Sequence, residues 1–356
     1  MIYHKNVAVI GYGRIGQAIK QYLKQEGFNV MAYDAKPVEG ATILGKDGDG
    51  QIDYKPAVSN ADCVIAATPF SSNIYIAHQC LEHQKAYFDL TEDVLIAQFI
   101  RDDSIPYVRA GKLAWISPQC GLAPGAVGMV ANHLIDTFQE IRDVRLRVGA
   151  LPQFASNKMK YYLTWSSEGL VNEYCNPCRV LVDGIEYDVP ALDGYELIQI
   201  DGDEYEAFNT SGGIGSLIET VTRNHPSVRN INYKTLRYKG HRELLSFALD
   251  DLGLRNNQKV LVDLFNANVP RTTSDFVVIY VEVTGVKDGL LKTETYSRKI
   301  YGDDKFTAIQ RTTAAGVCAM VYYWATSSYP QRNGYVPCED VAVTSLNGNP
   351  FWDIFR

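Results

Sequence analysis

Gly11-Tyr12-Gly13-Arg14-Ile15-Gly16 decides how the rest of the chain is read. Its spacing is G-x-G-x-x-G. Before it, Asn6-Val7-Ala8-Val9-Ile10 is a short apolar run that predicts a buried strand. After it, Ile15, Ala18, Ile19, Tyr22 and Leu23 recur at helical spacing and give one apolar stripe. The motif therefore falls on a strand-to-helix turn. Gly11 permits the tight turn, Gly13 lets the backbone approach a pyrophosphate, and Gly16 lets the helix pack on the strand. Amides of the first helical turn, at Arg14, Ile15 and Gly16, then face the negative charge.

A second predicted strand, Asn29 to Asp34, ends in an acid 18 residues after Gly16. A carboxylate there accepts hydrogen bonds from an adenosine ribose. It also repels a 2′-phosphate, so NAD is expected rather than NADP, although Lys36 lies close by. Strand, turn, helix and acid agree, which sets this loop apart from an isolated glycine turn.

Helix and strand patterns alternate through the first third. Further strands are expected at Gln51 to Tyr54, Cys63 to Ala67, Ala86 to Leu90 and Leu113 to Ile116, with a helix from about Ser72 to His83. Such alternation implies a Rossmann-type doubly wound parallel sheet, an α/β fold. Ligands of these sheets bind beyond the carboxyl ends of the strands. Thr68, Pro69, Asp89 and Thr91 lie there and are candidate cofactor contacts, or simply turn residues.

The pattern changes near Cys120 to Gly125. A helix follows from about Ala126 to Phe138. Then come short strands at Val144 to Val148, Val180 to Val182, Leu197 to Ile200, Tyr233 to Tyr238 and Phe276 to Thr284. These predict a second α/β domain on a mixed or largely antiparallel sheet. Thr312 to Tyr323 reads as a helix returning to the first domain. The expected division is residues 1–122 with 310–356 for the dinucleotide, and 123–309 for substrate and subunit contacts.

Composition narrows the partners. The 356 residues allow two domains, and 46% hydrophobic with 21% charged residues is ordinary for a globular protein. A net charge of −7 argues against nucleic acid or an anionic membrane as partner. Apolar runs such as Gly316 to Ala325 are too short to span a bilayer. Met1 leads almost directly into the first strand, without a visible signal peptide, and seven scattered cysteines suit a reducing, cytoplasmic setting. Cys175-Asn176-Pro177-Cys178 lacks the second pair that a zinc site needs. Asp47-Gly48-Asp49-Gly50 lacks the closing glutamate of a calcium loop and reads as a solvated turn. No metal is expected.

Two later stretches carry polar chemistry. Phe208-Asn209-Thr210-Ser211-Gly212-Gly213 clusters hydroxyls and glycines as a pocket-lining loop does, or as any loop does. In Thr235-Leu236-Arg237-Tyr238-Lys239-Gly240-His241, alternation puts Thr235, Arg237 and Lys239 on one face. Arg237 suits a carboxylate held bidentately, and His241 a proton transfer near neutral pH. Periodicity alone favours a solvated basic strand edge.

The chain resembles the saccharopine dehydrogenase family, and within it the lysine 6-dehydrogenase branch. The stretches that carry this are Gly11 to Gly16, Asp89-Leu90, Gly121 to Gly125, Gly149 to Pro152, Ser167 to Leu170, Asn209 to Gly213, Lys234 to His241 and Arg311 to Ala314. The resemblance implies a nicotinamide cofactor, a small amine or amino-acid substrate and a homodimer. The saccharopine reductase branch has Gly-Leu-Asp-Pro-Gly where this chain has Gly121-Leu122-Ala123-Pro124-Gly125. It has Asn-Arg-Asp-Ser where this chain has Asn209-Thr210-Ser211-Gly212. Losing an acid and an arginine disfavours a substrate with three carboxylates and favours one with a single α-carboxylate, lysine first.

The roles this suggests are His241 for proton transfer, with Glu168 second, Arg237 as carboxylate anchor, and Thr210 and Ser211 as hydrogen-bond partners. The expected reaction is NAD-dependent oxidation of the lysine ε-amine to the semialdehyde. One alternative is an opine-type reductase joining an amine to a carbonyl compound. Another is a non-catalytic NAD-binding sensor.

Overall fold

The computed structural model describes residues 5–112, 114–327 and 334–356. The chain divides into two compact units, residues 1–126 with 312–356, and residues 127–311.

The first unit is a parallel sheet. Its strands are β1 (Asn6–Ile10), β2 (Asn29–Asp34), β3 (Thr42–Ile43), β4 (Cys63–Ala66), β5 (Ala86–Asp89) and β6 (Trp115–Ser117). Their spatial order is β3-β2-β1-β4-β5-β6, and Gly334–Tyr335 from the C-terminal segment pairs beside β6. The order reverses between β1 and β4, which places a ligand crevice at the carboxyl ends of those strands. β1 and β4 are short apolar runs because both faces of their sheet are covered. Ile76, Ala77, Cys80 and Leu81 of the helix Phe70–Glu82 pack against Val64, Ala66 and Tyr87. Each buried Ile or Leu of this kind contributes about 1.5–3 kcal/mol.

The third strand differs from the sequence expectation. Thr42–Ile43 pairs with β2, whereas Gln51 to Tyr54 supplies only a bridge between Ile52 and Lys46. The carboxylate of Asp47 accepts from the amides of Asp49 and Gln51 and folds that stretch back on itself. The turn expected at Asp47 to Gly50 is therefore what excludes a strand. Of the sixth expected strand, Leu113 lies outside the described residues.

The second unit holds an eight-stranded mixed sheet. Its strands are β7 (Glu140–Pro152), β8 (Cys178–Val182), β9 (Ile185–Val189), β10 (Glu196–Ile200), β11 (Asp203–Asn209), β12 (Asn230–Arg237), β13 (Asp275–Lys287) and β14 (Leu290–Tyr301). The order is β10-β11-β12-β7-β13-β14, with the β8–β9 hairpin joined to β12. β12 and β7 run parallel, and the other pairs are antiparallel. β12 is an interior strand, which overturns the reading of a solvated basic edge. Ile231, Tyr233, Thr235 and Arg237 alternate along it and are buried. The helices Ser167–Cys175, His241–Ser246 and Gln258–Asn268 supply Leu170, Tyr174, Leu245, Leu261 and Phe265 to one apolar cluster that includes Phe208 of β11.

Among the described residues, no helix is long and apolar enough to cross a membrane.

Candidate functional site

The glycine loop of the first unit shows a division of labour among its glycines. Gly11 has φ +91°, and a Cβ there would lie 2.3 Å from the carbonyl oxygen of Ala67. A Cβ on Gly16 would lie 2.0 Å from the carbonyl oxygen of Gly11. Both positions are closed by the protein's own backbone. At Gly13 a Cβ would meet nothing within 4 Å. A bare backbone there leaves room for an incoming group, and the helix Arg14–Gln25 begins at that point with no acid in its first turn and no side-chain cap. Its leading amides, at Arg14, Ile15 and Gly16, have no intrahelical acceptor and carry the positive end of the dipole. Arg14 is exposed beside them. The loop fits a dinucleotide pyrophosphate.

Asp34 ends β2 and is tied to this loop. One carboxylate oxygen accepts from the amide of Tyr12 at 2.7 Å, and the other from the amide of Lys36 at 2.9 Å. Each oxygen retains a lone pair for a ribose hydroxyl.

Around β5 the structure gives the four sequence candidates partners within the protein. Asp89 is fully buried. Its Oδ2 accepts from the Tyr87 hydroxyl at 2.7 Å and from Asn73 Nδ2 at 3.1 Å. Its Oδ1 accepts from the amides of Thr91 and Gln119. Four donors saturate this carboxylate, and it braces the strand ends. Burial raises its pKa, and the four hydrogen bonds oppose the rise. Thr68 donates to Asn73 Oδ1, and Thr91 Oγ1 accepts from the amide of Asp93. Both hydroxyls belong to the same brace. Pro69 caps the helix Phe70–Glu82 from outside.

Glu92, which sequence reasoning passed over, stands just beyond that brace. Burial, opposed by its own amide and helped by Asp93 and Asp89, pushes its carboxyl up to about 7. The signal was present in Asp89-Leu90-Thr91-Glu92-Asp93, where three acids crowd one strand end.

In the second unit, polar groups gather on Arg237. The residue is 3% exposed. It lies 4.9 Å from the ring centroid of Tyr161 and 5.7 Å from that of Tyr174. Nε donates to the Tyr174 hydroxyl at 2.9 Å and Nη1 to the carbonyl of Leu236 at 2.9 Å. Nη2 has no hydrogen-bond partner among the described residues. Burial disfavours the charge, but Tyr174, Tyr161 and Glu173 more than compensate, and the pKa is raised. The only other arginine buried to this degree among the described residues, Arg147, is engaged by Glu196.

His241 is corrected from proton carrier to positioning residue. It is 1% exposed. Its Nδ1 lies 2.9 Å from the carbonyl of Met159, which can only accept, so the proton sits on Nδ1. Nε2 then accepts from the Tyr174 hydroxyl at 3.1 Å. Burial first, and the Arg237 charge second, lower its pKa to about 3 against the pull of the Met159 carbonyl. The imidazole is neutral throughout the physiological range.

This has a measurable consequence. The unfolded imidazole takes up a proton as pH falls through 6.5, whereas the folded one resists until about 3. Stability present above 6.5 is therefore lost on acidification, at about 1.4 kcal/mol per pH unit. Denaturant unfolding at pH 7 and pH 4.5 is expected to show the parent losing about 2–3 kcal/mol more than His241→Gln. Equal losses in the two proteins would remove the buried neutral imidazole.

The other polar candidates serve as braces. Thr210 donates to Thr235 Oγ1 at 3.2 Å, and Ser211 donates to the carbonyl of Asn172 at 3.3 Å. Gly213 is bare because a Cβ there would lie 2.3 Å from the ring of Tyr233. Glu168 is exposed at the start of the helix Ser167–Cys175. Burial raises its pKa, but its own amide and the hydroxyls of Ser166 and Ser167 outweigh this and lower it. Its carboxylate accepts from the hydroxyls of Ser166 and Ser167 in the first turn of that helix. The carboxylate that does belong to the cluster is Glu173, 7% exposed, whose charge acts on Arg237, Tyr161, Tyr174 and Tyr233. Its sequence sign was a lone acid among Leu170, Val171 and Tyr174 on the inner face of a helix. Glu206, also unpredicted, accepts from the amides of Gly240 and Arg242 and so fixes the turn that presents His241.

All seven cysteines are free thiols. No group of three or more His, Cys, Asp or Glu side chains among the described residues could hold a metal.

A parallel sheet with this strand order and this glycine loop is a dinucleotide-binding fold. Residues 1–76 match the family model of the D-isomer specific 2-hydroxyacid dehydrogenase NAD-binding domain. Residues 121–354 match that of the saccharopine dehydrogenase C-terminal domain. The chain belongs to the saccharopine dehydrogenase family. Mitochondrial alpha-aminoadipic semialdehyde synthase of Mus musculus is 22% identical over 274 residues, which is 71% of this chain and 29% of that protein. The Bos taurus protein of the same name is 23% identical over 321 residues, 84% of this chain and 34% of that one. The chain thus spans about a third of the length of these curated relatives. Among solved structures, apo saccharopine dehydrogenase (L-Glu forming) from Saccharomyces cerevisiae superposes with a TM-score of 0.77 at 14% identity, over 98% of this chain and 97% of that one. The C. glutamicum DAP dehydrogenase in complex with DAP gives 0.50 at 12% identity, over 97% and 96%.

Proposed function

We propose that this protein is an NAD-dependent dehydrogenase acting on the CH–NH group of an amino acid, with the ε-amine of lysine as first candidate. The observation that carries this is the buried Arg237 guanidinium, held on two sides and open at Nη2, with the Glu173 carboxylate close by. One buried cation suits one α-carboxylate. A substrate with three carboxylates calls for further cations that this cluster lacks among the described residues, since Arg147 is already paired. Asp34 supports NAD over NADP, because its carboxylate repels a 2′-phosphate. The proposal includes a homodimer. Among the described residues β14 ends the strand order of its sheet, the place where a strand of a second copy would add.

The net reaction converts the protonated amine, NAD and water into the aldehyde, ammonium, NADH and a proton. The bound nicotinamide supplies the hydride acceptor. The protein has to fix the amino acid and take the ammonium proton, whose solution pKa is about 10.4. Arg237 anchors the carboxylate, Tyr174 and His241 hold the guanidinium plane, and Glu173 faces the α-ammonium. Glu92, at the carboxyl edge of the parallel sheet and titrating at about 7, takes the place of His241 as the acid–base candidate.

The test follows NADH formation with L-lysine, saccharopine and diamines, using NAD and NADP separately, and repeats the pH profile with Glu92→Gln. Turnover of L-lysine with NAD is expected, with a limb near pH 7 that the variant lacks. Tight NAD binding without turnover of any amine would instead favour the sensor reading, and NADH consumption with a 2-oxo acid plus an amine the opine-type reductase.

A further inference from the structure

Two buried hydroxyls, one of them on the ring that carries Arg237, lack a hydrogen-bond partner among the described residues. They belong to Tyr161, 0% exposed, and Thr164, 2% exposed. They are neighbours, since the side chains of Thr164 and Trp165 both bear on the Tyr161 hydroxyl and ease its ionisation. Buried polar groups are otherwise satisfied almost everywhere in native proteins, so an adjacent orphan pair calls for an explanation.

The position of Tyr161 is built with care. Asn157 accepts from the Tyr161 amide at 3.1 Å and donates to its carbonyl at 2.8 Å. The ring packs against His241, with centroids 5.2 Å apart, and carries the Arg237 guanidinium at 4.9 Å. A phenylalanine would do all of this, because packing and cation–π attraction need only the ring. The hydroxyl takes no part in these contacts. Adjacent positive charge decides which ligand atoms it faces: Arg237 repels an ammonium and attracts an anion.

We propose that Tyr161 Oη and Thr164 Oγ1 form, with the open edge of Arg237, a carboxylate subsite in the second unit, and that they donate to the carboxylate oxygens of the substrate. This deepens the functional reading above and rests on its assignment of Arg237. The pair sets specificity by hydrogen bonding: a ligand without a carboxylate leaves both hydroxyls and the guanidinium edge unmatched, which is how polar sites reject analogues.

The experiment measures binding, not turnover, so that it stands apart from the lysine reaction. Tyr161→Phe, Thr164→Val and the double variant are titrated calorimetrically, with NAD present, against L-lysine, L-norleucine, L-glutamate and 1,5-diaminopentane. Thermal unfolding is recorded without amino acid. Tyr161→Phe is expected to weaken L-lysine and L-norleucine about tenfold and the double variant more, with 1,5-diaminopentane weak throughout. Unfolding temperatures are expected to stay level or rise, because an unsatisfied hydroxyl has been removed. Where a substrate is turned over, KM rises while kcat stays within about twofold. Lower unfolding temperature with unchanged carboxylate affinity overturns the proposal and marks these hydroxyls as structural. So does failure of every carboxylate to bind the parent protein. Binding of L-lysine without turnover sinks the lysine reaction while the subsite stands.

Discussion

Arg237→Met is expected to lower kcat/KM for the amino-acid substrate by about a hundredfold to several thousandfold. Loss of one partner from a buried charge-assisted contact costs about 3–5 kcal/mol. Here the loss has two parts. The substrate carboxylate loses its counter-charge, and Tyr174 loses the donor that fixes its hydroxyl. Arg237→Lys separates them. Lysine restores charge, but a point charge on a flexible stem cannot donate to Tyr174 and Leu236 while presenting an open edge. It is therefore expected to recover less than a tenth of the lost activity. Steady-state kinetics at saturating NAD, with calorimetry for the amino acid, checks both variants. An Arg237→Met protein with normal KM and kcat would falsify the carboxylate anchor.

The second large effect separates two glycines three residues apart. Gly13→Ala adds a methyl where nothing in the protein stands within 4 Å. Its fold is expected to survive, with the unfolding temperature within about 2 °C of the parent. NAD affinity is expected to fall by at least about tenfold, because the methyl occupies the path of the pyrophosphate. Gly16→Ala places a methyl 2.0 Å from the carbonyl of Gly11, so helix and turn have to move apart. Destabilisation of about 2–4 kcal/mol is expected before any cofactor is added. Thermal unfolding and NAD titration of the two proteins distinguish these outcomes. Unaltered NAD binding by Gly13→Ala would remove the loop from the cofactor site.

What the sequence made legible follows from where the physics is local. Strands β1, β2, β4 and β5 are apolar runs between turns, and the glycine turn requires specific residues at fixed spacing, so both show in a single chain. Strand β14 does not. In Leu290 to Tyr301 neither face is apolar, because an edge strand has only partial cover, and the alternation that betrays a half-buried strand is missing. The site divides the same way. Arg237 stood out by its place in an alternating strand. Tyr161, Glu173 and Tyr174 come from a loop and a helix some 60–75 residues upstream, and only tertiary packing brings them to it. Asp89 and His241 were visible as residue types suited to chemistry. Their burial, which turns one into a brace and the other into a neutral acceptor, is a property of the packed fold and not of the residue.

The chain from Arg237 through Tyr174 and His241 to Met159 has a direction. Each proton is donated away from the guanidinium and ends on a carbonyl that has none to give back. Such a row cannot reverse, and it has no member that ionises at working pH. A carboxylate seated on Arg237 therefore exchanges no protons with this row. Its contribution to the heat of binding is expected to be the same in phosphate, Tris or imidazole buffer.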